Sequence, residues 1–96
     1  MSDHPKLGPD SRVSIGASVY ARSFGDEIVL LDFARGEYFG LDEVGAEVWR
    51  GLEKGRSLSE IAELIVERFE VAREQALADI IEIVDDMMNN SLVHAP

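Results

Sequence analysis

The stretch Gly36-Glu37-Tyr38-Phe39-Gly40-Leu41-Asp42-Glu43-Val44-Gly45-Ala46-Glu47-Val48-Trp49 decides the fold, because the spacing of its apolar residues changes midway. Up to Leu41 the residues suit a short extended segment. Beyond Asp42, Val44, Val48, Trp49 and Leu52 recur with the period of about 3.6 that belongs to a helix. The spacing therefore predicts a strand over Glu37 to Leu41 that runs straight into a helix capped by Asp42 and stopped at Gly55.

On the N-terminal side, two further β-prone runs, Ser18 to Ser23 and Glu27 to Phe33, are separated by Gly25-Asp26 and by Ala34-Arg35-Gly36. Connections this short force antiparallel neighbours, so the three runs form a meander. Ile28-Val29-Leu30-Leu31 is apolar on both faces and suits the central strand, which leaves the strand around Tyr38 and Phe39 on an edge. On the C-terminal side, Ser57-Leu58-Ser59-Glu60 reads as a capping box opening a helix with Leu58, Ile61, Leu64, Ile65 and Phe69 as its apolar stripe. A third helix is expected from about Arg73 to Asn89, with Ala72 in place of a capping side chain, and Leu92 and Val93 are expected to fold back on the core. The fold class is α+β: a three-stranded antiparallel sheet followed by three helices. Residues 1–12, with Pro5 and Pro9, read as a flexible lead-in; 13–93 form one domain and 94–96 a tail.

The third helix carries two adjoining apolar stripes, Leu77, Ile81, Val84 and Met88, and Ala76, Ile80, Ile83 and Met87. One reading is that one stripe packs on the other helices and the second on the sheet. The other is a trough beside the open strand edge, where an extended peptide adds as a strand and its apolar side chains meet the second stripe. Asp79 and Asp86 would then flank the trough and meet basic residues.

Composition narrows the function from the other direction. The 96 residues have no cysteine, so disulfides, thiolate metal sites and cysteine nucleophiles are excluded. No apolar run approaches the length of a membrane helix, and an intracellular, cytoplasmic setting is expected. The net charge is −10, and residues 57–96 alone hold nine acids against Arg68 and Arg73. That field repels phosphate backbones, so nucleic acid is not an expected partner and a neutral or basic peptide is. The two histidines, His4 and His94, fall in expected tails, no catalytic residue or metal cluster stands out, and the glycines form no phosphate loop. Neither catalysis nor a cofactor is expected.

Three motifs taken together, Tyr38-x-x-Leu41-Asp42, Gly45-x-x-x-Trp49 and the capping box Ser57-Leu58-Ser59-Glu60, resemble the PqqD-like family, the RiPP precursor peptide recognition elements. The resemblance spans about residues 13–93 and implies a winged-helix-like arrangement. It also implies a non-catalytic protein that binds the leader segment of a ribosomally made precursor peptide between the third strand and the third helix. On this chain that means backbone pairing by Glu37, Tyr38, Phe39, Gly40 and Leu41, and side-chain contacts from Ala76, Ile80, Ile83 and Met87. The Val-Gly-Ala-x-x-Trp version is most similar to the stand-alone proteins of lasso peptide pathways, whose partner is a leader peptidase. A chaperone in pyrroloquinoline quinone biosynthesis, a winged-helix DNA-binding regulator and a homodimer through the open edge remain as alternatives.

Overall fold

A computed structural model describes residues 7–95; His4, Pro5 and the rest of residues 1–6, together with Pro96, lie outside the described residues. The elements are β1 (Ser14–Ile15), β2 (Val19–Phe24), β3 (Glu27–Asp32), β4 (Glu37–Leu41), α1 (Glu43–Glu53), α2 (Leu58–Phe69), α3 (Arg73–Asn89) and β5 (Val93–His94). β2, β3 and β4 form the expected antiparallel meander with β3 in the centre.

Gly25, at φ 65°, makes the tight turn between Phe24 and Glu27, which face each other across the β2–β3 hairpin. At the other end, the buried Asp32 carboxylate accepts from Ser18 Oγ at 3.0 Å and from the N–H groups of Ala34 and Arg35 at 3.1 and 3.4 Å. This stops β3 at Asp32, one residue before the Phe33 expected from the β-prone run, and throws the chain back into β4. β2 likewise sits one residue later than its apolar run suggests, because the two-residue hairpin sets its register.

The helices start where their caps direct. Asp42 accepts from the Gly45 N–H at 2.8 Å, and Ser57 and Glu60 form the reciprocal box at 3.2 and 2.8 Å. The Glu60 carboxyl is held below its ordinary pKa, first by the Ser57 N–H and then by Arg12. α3 begins at Arg73 without a side-chain cap on Ala72, as its sequence implies. Ile28, Leu30, Val48, Trp49, Leu58, Ile61, Ile80, Val84 and Val93 are fully enclosed and form the centre of the core between the sheet and the helices.

Two features were not legible in the apolar pattern. Residues 7–12, expected to belong to the lead-in, are docked: the carbonyls of Pro9 and Ser11 accept from Ser59 and Leu58, the first two amides of α2, at 2.8 and 3.0 Å. These amides have no partner within the helix, and the N-terminal segment supplies one. In addition, β1 pairs with β5, placing Ser14 opposite His94 and Ile15 opposite Val93. His94, expected in a tail, is held by this backbone pairing while its side chain is exposed.

α1 and α2 meet through Gly51. A Cβ added there would lie 2.6 Å from Cγ1 of Ile61, which is itself fully buried. Gly51→Ala should therefore destabilise the fold by about 1–3 kcal/mol through overpacking, and lower the melting temperature by roughly 4–8 °C per kcal/mol for a domain of this size. Thermal denaturation followed by circular dichroism measures this, and an unchanged melting temperature would contradict the contact.

Candidate functional site

Which backbone groups face the open side of β4 follows from the parity of the ladder. Phe33 N–H donates to the Ser18 carbonyl at 3.1 Å, in line with the register Val19 to Asp32. Hydrogen-bonded pairs alternate along an antiparallel ladder, so Leu31, Val29 and Glu27 also turn their N–H and C=O toward β2. Ile28, Leu30 and Asp32 turn theirs toward β4, where their partners are Leu41, Phe39 and Glu37. The remaining two residues of β4, Tyr38 and Gly40, direct their N–H and C=O groups to the open edge, two donors and two acceptors in a row.

The same alternation divides the side chains. Phe39 and Leu41 turn inward and pack, half-buried, against the core. Tyr38 points away from the helices and is 77% exposed. On that outer face it stands in one cross-strand row with Leu31 and Tyr20, and the Tyr20 ring meets Phe33 edge-on at 5.2 Å. Glu37 is paired with Arg35 at 3.0 Å.

Along the open edge runs a groove of about 190 Å³, lined by Phe39, Gly40 and Leu41 on the strand side. On the helix side Ile83, Asp86 and Met87 line it, and Asn90 and Leu92 close its end. A volume below about 300 Å³ is small for a cofactor and suits one or two side chains. Its walls are apolar, with the exposed Asp86 carboxylate at the rim.

The structure does not bring the whole predicted stripe of α3 to this groove. Ala76 and Ile80 are 1% exposed and belong to the core, because α3 buries parts of both its stripes against the body of the protein. Met87, 3% exposed, shows the groove only an edge; Ile83 is half-buried and is the main apolar side chain the helix offers. Asp79 is engaged with Gln75 at 2.8 Å and is not part of the lining. Asn90 and Leu92 were not anticipated as lining residues; the signal for them was the helix stop at Asn89-Asn90 followed by the returning apolar pair Leu92-Val93. Among the described residues, no group of three or more His, Asp or Glu could hold a metal ion, and no helix is long and apolar enough to cross a membrane.

Residues 27–93 match the family described as "Coenzyme PQQ synthesis protein D (PqqD)". Among solved structures, TbiB1 in complex with the TbiA(beta) leader peptide is 34% identical, with a TM-score of 0.80 over 83% of this chain and 93% of that one. A lasso peptide synthetase B1 complexed with the leader peptide is 26% identical, with a TM-score of 0.76 over 88% and 96% of the two chains. No curated protein matches.

The ladder parity is open to direct test. Proline removes an N–H, so Phe39→Pro should break a bond to Leu30 and strongly destabilise the sheet, whereas Tyr38→Pro should remove only an edge donor and leave the melting temperature much nearer that of the wild type. Equal losses in the two variants would reverse the assignment of the free edge groups.

Proposed function

Because the chain belongs to the PqqD family, we propose that it is a non-catalytic adaptor that captures the leader segment of a ribosomally synthesised precursor peptide. The leader adds as a strand on β4, pairing with the outward groups of Tyr38 and Gly40. Its inward side chains enter the groove between Phe39, Leu41, Ile83 and Met87, and a basic residue beside them meets Asp86. Glu37, Ala76, Asp79 and Ile80 support this site from outside: Glu37 through its pair with Arg35, Ala76 and Ile80 by seating α3 in the core, and Asp79 as part of the acidic surface. The adaptor holds the leader for a cytoplasmic processing enzyme, a leader peptidase of a lasso peptide pathway.

The observation that carries this reading is the coincidence of an unpaired strand edge and an apolar groove on one side of β4. Its support is the 34% identity, over most of both chains, to a protein whose structure holds a leader peptide. The family description favours a second reading within the same binding mode, a peptide chaperone in pyrroloquinoline quinone biosynthesis. The enzyme partner separates the two: a leader peptidase in one, a radical SAM protein in the other. A DNA-binding role is opposed by the charge: Arg12, Arg35, Arg68 and Arg73 are each paired with carboxylates, and the net charge is −10.

Titration with leader peptides encoded near the gene, followed by backbone amide NMR, should shift Tyr38 to Leu41 and the C-terminal half of α3. Ile83→Arg should weaken binding by about tenfold or more, since it places a charge in the apolar groove, while leaving the fold intact. Undiminished affinity in Ile83→Arg, or shifts confined to other elements, would overturn the groove.

A further inference from the structure

Gly40 is a glycine that the fold does not require. Three glycines, at 25, 36 and 55, have positive φ, and Gly40 is not among them. Gly45 and Gly51 face neighbours that an added Cβ would crowd, whereas a Cβ on Gly40 would meet nothing within 4 Å. Glycine weakens a strand interior, through the entropy it loses and the packing it cannot provide. Its presence in mid-strand with neither a backbone nor a packing reason marks a place where something else comes close.

What comes close is fixed by the ladder. Gly40 directs its backbone toward the open edge, and its missing side chain would stand on the outer face, away from the helices and the groove. Directly opposite it, on β3, is Val29, half-buried. One row along, on the same face, is the exposed Tyr38. The outer face therefore has a notch at Gly40, with Val29 as its back wall and the Tyr38 ring at its side, open along the edge where an added strand would lie.

We propose that this notch is a specificity subsite for an aromatic side chain of the bound peptide, distinct from the groove on the inner side. The inference rests on strand addition at β4 as proposed above. Residues directly opposite one another in a ladder turn their side chains to the same face, so the peptide residue opposite Gly40 points outward. A large planar side chain at that position extends the row of Arg22, Val29 and Gly40: it lies across the glycine, covers Val29 and stacks diagonally against Tyr38 in the neighbouring row. Covering an edge glycine with a cross-strand aromatic is a recognised stabilising device in sheets. A small or charged side chain leaves the notch unfilled. The peptide is thus read on both of its faces: by the groove through its inward residues and by Gly40 through one outward residue.

The test is selection of a displayed library of random twelve-residue peptides on the wild-type protein and on Gly40→Thr, whose β-branched side chain fills the notch and suits a strand. Gly40→Ala, which adds only the Cβ, serves as the milder second variant. Wild-type protein should enrich peptides with Phe, Tyr or Trp at a single position. Amide NMR of a selected peptide should place that residue opposite Gly40. Replacing the aromatic residue by alanine should weaken binding about tenfold on the wild type and less than about threefold on Gly40→Thr. Peptides that shift the Tyr38 to Leu41 amides but show no aromatic preference, or an alanine penalty that is the same on all three proteins, would overturn the subsite and leave strand addition standing. Enrichment of no peptide, or binding that leaves the β4 amides unmoved, would overturn both.

Discussion

The structure turns on the buried carboxylate of Asp32. One oxygen accepts from the Ser18 hydroxyl and from two successive amides of the following turn, at 3.0 to 3.4 Å. An ionised acceptor makes such bonds stronger than neutral ones, and burial makes their loss costly. By ending β3 at a fixed residue, this carboxylate sets the register of β4, and the register decides the rest. It turns Phe39 and Leu41 toward the core, aims the free groups of Tyr38 and Gly40 at the edge, and delivers Asp42 to the start of α1 in position to cap it.

Much of this was legible in the residues. The strand–helix junction at Leu41-Asp42, the capping box at Ser57 and the uncapped start at Ala72 are local chemistry, and each helix begins where that chemistry directs. The structure differs where long-range contacts decide. Two-residue strands such as β1 and β5 have no periodicity to detect, and they exist because the chain ends meet. Residues 7–12 have no periodic apolar pattern and contain Pro9, yet the carbonyls of Pro9 and Ser11 are drawn to α2 by amides that a helix cannot satisfy itself. On α3, the apolar pattern correctly gave two stripes, but the spacing alone could not divide them between core and groove. That division is set by the crossing of α3 over the body, which buries Ala76 and Ile80 and leaves Ile83 at the margin.

The two sides of the sheet have different chemistry. Tyr20, Phe24, Phe33 and Tyr38, large side chains left exposed to solvent, belong to β2, β4 and the turn after β3. The acids concentrate on α2 and α3, where Arg68 gathers Glu43, Glu47 and Asp26 and so links α2 to α1 and the first hairpin. Exposed ion pairs of this kind contribute little each to stability. Their effect here is to tie three elements together while leaving the helical surface negative, so that an acidic helical layer and an aromatic outer sheet face meet at β4.

Trp49 lies at the centre of the core. It is the sole tryptophan, 1% exposed, and its indole N–H has no partner among the described residues. It is also absent from the groove lining. Its emission is therefore a gauge of the packed interior, sensitive to loss of the fold and blind to what occupies the strand edge. Optical detection of an occupant falls instead to Tyr38, or to a chromophore that the occupant itself brings.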